Sequence, residues 1–212
     1  MKFDRSRFYD GVRQSIFGGR VRQLTVDNIE DIFDYWFARH PENPPAQLAY
    51  ILATVRAEVG LNMVPVRESF AASDQEARKR LAGRDYARTA GDYGHAYYGR
   101  GYVQLTWLEN YRKQSRKLGI DLVQFPDRAL ETAVAIRILV EGMLDGDFNG
   151  KGFGLAHYVD AKKQDFVEAR RTVNGRDRAV EIAGYAERFL TAIRAGLAAD
   201  AGVFQISPSA TR

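Results

Sequence analysis

The sequence contains no cysteine. Disulfides, thiolate nucleophiles and thiolate metal sites are therefore excluded, and the fold has to rest on its core alone. Histidine is nearly as scarce: His40, His95 and His157 are far apart, with no H-x-x-x-H spacing. A zinc site has no ligand set to draw on, so the expectation is an activity with no metal and no other cofactor. There is no G-x-S-x-G nucleophile elbow and no Walker loop, and Gly99-Arg100-Gly101 lacks the remainder of a dinucleotide fingerprint. The opening MKFDRSRFYDGVRQ has no apolar run for a signal peptide, and no stretch is long and apolar enough to span a bilayer. Cytoplasmic synthesis without stable membrane insertion is the expectation. Charge of one sign is in little excess, 31 Lys and Arg against 27 Asp and Glu. The resulting net charge of +4 suits an anionic polymer such as a bacterial cell wall. Nucleic acid is not an expected partner, because the most basic stretch, 162–178, is interrupted by Asp165, Glu168 and Asp177. That stretch reads as a solvated helical face.

What is present is an ordinary globular composition, 212 residues with 45% hydrophobic and 27% charged. It fits one domain over 1–200 with a smaller lobe at about 62–103, a monomer, and a C-terminal tail at 201–212. Helix signals dominate. Asp27 with Glu30 looks like a capping box before Ile29, Ile32, Phe33 and Trp36. Leu48, Ile51, Leu52, Val55 and Val59 give a stripe that ends at Gly60, and Ser73 with Glu76 caps a short helix ending near Gly83. Further helices are expected over 106–118, 127–144, 162–173 and 176–198. The Gly- and Tyr-rich segment 83–101 reads as irregular or a short hairpin. The architecture expected from this pattern is mainly α and lysozyme-like: a two-lobed helical fold with a central substrate cleft and a small irregular or β lobe.

Carboxylates remain as the chemistry-bearing groups. Glu58 ends an otherwise apolar helix. Partial burial and the negative end of a helix both favour a neutral carboxyl, the form that a glycosidase acid needs. The competing reading is a helix-end Glu paired with Arg56 or water. Glu68 follows in NMVPVRESF, where Pro65 breaks regular structure and lets the chain turn back. An inverting glycosidase holds its two carboxyls about 6.5–9.5 Å apart, and a loop of this length can supply that gap. Arg67 would keep Glu68 charged; the competing reading is a surface Arg–Glu pair. A third element is YYGRGYVQLTW, in which aromatic faces suit sugar rings and Gln and Thr suit hydroxyls and acetamides. Tyr98, Arg100, Gln104, Thr106 and Trp107 are its candidate sugar-binding residues.

The run YYGRGYVQLTWLENY resembles the central signature of glycoside hydrolase family 19, the chitinase-like enzymes that include phage endolysins. The resemblance extends over FYDGVRQSIFGGRVRQLTVDNIEDIFDYW, LAYILATVRAEVG and NMVPVRES upstream, and over LGIDLVQFPDRAL and ARRTVNGRDRAVEIAGYAERF downstream. It covers about 8–198. The resemblance implies that Glu58 is the catalytic acid and Glu68 the general base. It places Gln104 and Thr106 in the sugar cleft, Asn110 and Tyr111 on the family's N-Y, and Asn174 on its substrate-contacting Asn-Gly. Relatives carry His-Glu-Thr where this chain has Ala57-Glu58-Val59, and a late arginine of the plant enzymes falls on Ile182, with Arg178 as its candidate substitute.

The function implied is an inverting endo-hydrolase of β-1,4 bonds in N-acetylglucosamine-containing glycans. Peptidoglycan is favoured over a chitin-like polysaccharide, in an endolysin that reaches the cell wall after release. The rivals are a chitinase, a lytic transglycosylase, and a non-catalytic glycan-binding protein on the same scaffold, which the missing His and Thr would favour.

Overall fold

Helices form where the apolar periodicity is strongest. A computed structural model of the chain describes residues 3–197, and seven α-helices occur among the described residues. The expected tail at 201–212 lies outside them. The first three helices are α1 (Arg5–Ser15), α2 (Gln23–Arg39) and α3 (Pro45–Val59). A small lobe follows, with strands β1 (Val66–Arg67), β2 (Thr89–Ala90), β3 (His95–Ala96) and β4 (Arg100–Gly101), and helix α4 (Asp74–Arg80). The chain then returns to helices α5 (Leu108–Leu118), α6 (Thr132–Asp145) and α7 (Ala179–Leu197). The fold is mainly α, lysozyme-like and two-lobed.

α3 is the axis of the larger lobe. Its residues from Ala46 to Val55 are all buried, as are Ala57 and Val59. A helix that is apolar all round is stable only inside a core, and α7 and α6 pack against it. α7 also lies on α1, where a Cβ on Gly11 would stand 3.0 Å from the Ala192 Cβ. That close approach is what places glycine in the middle of α1, despite its poor helix propensity. Phe8 and Phe33 meet edge-on at 4.9 Å and tie α1 to α2. Each large side chain buried in this way contributes about 1.5–3 kcal/mol.

The small lobe has its own minor core, Ala71, Ala77, Leu81, Ala87, Ala96 and Tyr98. Two antiparallel pairs, β1 with β4 and β2 with β3, are its only sheet among the described residues. Ser73 caps α4 by accepting from the Glu76 amide at 3.2 Å, as the S-x-x-E spacing predicts, and Glu76 accepts in return from the Ala72 amide. Arg100 joins this lobe to the helices. Its side chain is 1% exposed, lies 3.8 Å from the centre of the Tyr98 ring, and donates to Asp74, Ala96 O, Asp127 and the Tyr111 hydroxyl.

Several expected boundaries are corrected. α2 starts at Gln23, because Asp27 accepts from Gln23 Nε2 one turn earlier rather than capping a helix. α1, whose Asp4 accepts from the Arg7 amide as its N-cap, lies outside the expected helices. α5 starts at Leu108, since Trp107 is left-handed at φ 75°. Residues 126–130 form a separate 3-10 turn before α6. No α-helix forms over 162–173, and α7 starts only at Ala179. Asp160 and Asp165 there accept from the amides of Lys162, Lys163 and Glu168, so local side-chain turns displace the helical ladder.

Arg100→Met should lower unfolding free energy by about 3 kcal/mol, because it leaves Asp74 and Asp127 without their shared cation. Urea denaturation measures this; a loss below about 1 kcal/mol would show that Arg100 is dispensable to the joint.

Candidate active site

α3 carries Glu58 to the edge of the larger lobe. Gly60, at φ 81°, stops the helix just beyond it. Glu58 is partly buried, as its place at the end of α3 predicts, but a charged side chain reaches it. Arg170, 2% exposed, donates through Nη1 to Glu58 Oε1 at 2.6 Å, and its Nε is held by Asp177 O at 2.9 Å. Arg178 donates to the Ala57 carbonyl at 2.8 Å while gripping Glu181. Two arginines of the stretch expected to be a solvated helical face thus close the C-terminus of α3, where cations are favoured. Arg56, the alternative partner of Glu58, lies instead over the Tyr185 ring at 5.0 Å.

Glu68 projects from the end of β1. Its Oε2 accepts from the Gly99 amide at 2.9 Å and its Oε1 from the Tyr86 hydroxyl at 2.7 Å. Its own amide donates to Gly99 O at 2.8 Å. A Cβ at position 99 would lie 2.8 Å from Gln104 Oε1 and 3.1 Å from Glu68 Oε2, so a larger residue there would displace the cleft side chains. Burial and the charge of Glu68 push the Tyr86 hydroxyl above its ordinary pKa, so it remains a donor at neutral pH. Arg67, expected to act on Glu68, turns away to Asp127 at 2.6 Å. Ser69 and Phe70, at φ 58° and 53°, turn the chain sharply after Glu68.

Glu58 and Glu68 face one cleft of about 480 Å³. Its floor comes from the central run. Gln104 is left-handed at φ 54° and anchors its amide on Val66 O and Gly101 O. Thr106 donates to Gln104 O, and Asn110 to Thr106 O. Trp107, 51% exposed, stands edge-on to Tyr86 at 5.6 Å. Such strained backbone positions cluster where structure is held for function. Phe148, Val173 and Asn174 form the facing wall.

The structure therefore brings Glu58, Glu68, Gln104, Thr106, Trp107, Asn110 and Asn174 to one cleft. Three sequence expectations are corrected. Tyr98 is fully buried in the minor core, with its hydroxyl on Asp74, and Arg100 is the joint between the lobes. Arg178 reaches the backbone of α3 rather than the cleft. The position of the plant arginine, Ile182, is fully buried. Tyr86, Phe148 and Arg170 were missed. Nothing in the sequence around Tyr86 or Phe148 marks them, whereas Arg170 was visible only as one charge in a basic run.

Among the described residues, the cleft lining contains two carboxylates and no Lys, Arg or His. Among the described residues no group of three His, Asp or Glu is arranged to hold a metal. Carboxyls from separate lobes facing one cleft can work as an acid and a base on a bond laid between them.

Neither a family model nor a curated protein matches the sequence. Solved structures do match. Chitinase C from Streptomyces griseus HUT6037 superposes with a TM-score of 0.59 at 22% identity, over 91% of this chain and 76% of that one. A bacterial family 19 chitinase gives 0.57 at 22% identity, over 90% and 94%. A family 19, class IV chitinase from Zea mays gives 0.52 at 17% identity, over 88% and 90%. At these identities the likeness shows a shared fold.

The loop that carries Phe148 is anchored by Asp147, 7% exposed, which accepts from Lys117 at 2.6 Å and Gln114 at 2.8 Å and pairs with Lys113 at 3.0 Å. Burial raises its pKa, but the bonds from Lys117, Gln114 and Lys113 outweigh this and hold it below the usual carboxylate range. A depressed folded-state pKa stabilises above the unfolded value of about 3.9, and that stabilisation is lost as pH falls through the folded value. Asp147→Asn should therefore cost about 2 kcal/mol at neutral pH. The gap to the parent should narrow below about pH 4 in urea titrations. An equal gap at both pH values would assign the loss to packing instead.

Proposed function

We propose that the chain is a glycoside hydrolase, an inverting endo-hydrolase of β-1,4 bonds in N-acetylglucosamine-containing glycans. One observation carries this reading: Glu58 from the helical lobe and Glu68 from the small lobe line the same cleft. In the proposed reaction, Glu58 protonates the leaving glycosidic oxygen. Its Oε1 is engaged by Arg170, which leaves Oε2 for that oxygen. Glu68 takes a proton from a water that attacks the anomeric carbon from the opposite face. The donors from Tyr86 and Gly99 aim its carboxylate and leave acceptor capacity for the water. Trp107 offers an apolar face for a sugar ring, while Gln104, Thr106, Asn110 and Asn174 supply polar contacts.

Peptidoglycan is the polymer favoured by the net charge of +4. Chitin is a second reading, favoured by the cleft itself: a lining with two carboxylates and no cation suits a neutral chain. Chitinases are among the solved structures that share this fold.

Glu58→Gln and Glu68→Gln should each lower kcat by about 10²–10⁴-fold while the fold and substrate binding survive. Proton NMR of fresh digests of N-acetylglucosamine oligomers and peptidoglycan fragments, read before mutarotation, should show the α-anomer first. A β-anomer would point to a retaining route and an anhydro-muramyl end to a transglycosylase; either sinks the two-carboxylate mechanism. No product from either polymer would leave only the non-catalytic glycan-binding rival.

Arg170→Met should lower kcat about 10²-fold with little change in KM, because it frees Glu58 from its orienting bond. A change in KM alone would remove Arg170 from the mechanism and assign it to binding.

A further inference from the structure

The small lobe and the segment before α6 share a second concavity, separate from the cleft and of equal volume, about 480 Å³. It is lined by Asp74, His95, Phe125, Asp127, Arg128 and Glu131, with the buried Arg100 at its base. None of these residues lines the cleft. The neighbours Arg67 and Glu68 serve different concavities: Glu68 lines the cleft, while Arg67 bonds to Asp127 of the second.

Phe125 lines the concavity and is 52% exposed, and Tyr93, 48% exposed, lies beside the lining residue His95. Tyr93 stacks on His95, with ring planes 21° apart, and the His95 ring is held by a hydrogen bond to the Gln124 carbonyl at 2.9 Å. The polar groups beside them are already fixed. Asp127 is pinned by Arg67 and Arg100, Asp74 by Arg100 and the Tyr98 hydroxyl, and Arg128 by Glu131. The carboxylates of Asp74, Asp127 and Glu131 are all half exposed, so their remaining lone pairs are open to a ligand. A platform whose polar groups are ordered beforehand loses little entropy on binding.

We propose that this concavity is an auxiliary glycan-binding site that holds an uncharged stretch of the polymer outside the cleft. A flat apolar face flanked by fixed acceptors and a guanidinium is the chemistry that recognises a sugar ring. Three carboxylates against two guanidiniums make the lining unsuited to an anion. The identity of the polymer rests on the functional reading above, but the site does not use Glu58 or Glu68. Its role is to keep the enzyme on an extended substrate, which a short soluble oligomer does not need.

The test compares the full chain with Phe125→Ala and with the Tyr93→Ala, Phe125→Ala double variant, each checked for an unchanged Tm. Binding is measured by sedimentation with insoluble chitin and with purified peptidoglycan, and turnover with a soluble N-acetylglucosamine hexamer. Phe125→Ala should weaken binding to at least one polymer by about five- to tenfold, and the double variant should weaken it further. Hexamer kcat/KM should stay within about twofold of the parent, since the cleft is untouched. Phe125→Tyr should retain binding. A parent that sediments with polymer but releases product from neither the hexamer nor peptidoglycan, and loses binding through Phe125→Ala, supports this site while defeating the catalytic reading. A parent that cleaves the hexamer while Phe125→Ala binds polymer undiminished overturns the site and leaves the catalytic reading intact. A parent that sediments with neither polymer, or a Phe125→Ala variant that loses hexamer turnover as strongly as binding, also overturns it.

Discussion

Arg100 is buried to 1% and carries a charge that cannot be given up, so the protein has to surround it with acceptors. Those acceptors come from both lobes: Asp74 and Ala96 from the small one, Asp127 and Tyr111 from the helical one. The requirement fixes the lobes relative to one another. It also fixes the β1–β4 register, in which Arg100 pairs with Arg67 and Gly101 with Val66. Because Glu68 follows Arg67 directly, its placement over the cleft depends on this joint.

The opposite carboxylate depends on a different constraint. α3 is buried along nearly its whole length, and only its last turn reaches the surface with Glu58. A rigid core helix places that carboxyl accurately, but its exposed C-terminus has unsatisfied carbonyls and a negative dipole end. Arg170 and Arg178 answer both needs at once. The residues on either side of Glu58 in α3, Ala57 and Val59, are both buried in the core. Support for Glu58 therefore arrives through tertiary contact rather than from its neighbours in α3.

Between these supports, the backbone of the central run is strained where it meets the cleft. Gln104 and Trp107 are both left-handed, and Ser69 and Phe70 are left-handed on the other side. Gln104 keeps its conformation because its amide is tied to Val66 O and Gly101 O. Trp107 keeps its own because its amide donates to Tyr97 O at 2.8 Å and its carbonyl begins α5. The result is a rim tryptophan beside Tyr86, which is itself bonded to Glu68.

The helices with a full apolar stripe, α3 above all, were legible because periodicity is local and burial follows from it. So were Glu58, Glu68 and most of the cleft floor, since the run from Gln104 to Asn110 is contiguous and contributes its residues to one place. What the sequence by itself determined is which segments are helical cores and which carboxylates and polar groups are available. What only the tertiary structure decided is which way side chains in irregular segments face. Tyr98 and Trp107 stand in the same aromatic run, yet one is fully buried and the other half exposed. Arg170 and Arg171 are adjacent, yet one is buried on Glu58 and the other pairs with Glu168 at the surface. In a loop no fixed period relates position to face. The partner that settles each side chain lies far away along the chain, 112 residues for Arg170 and Glu58.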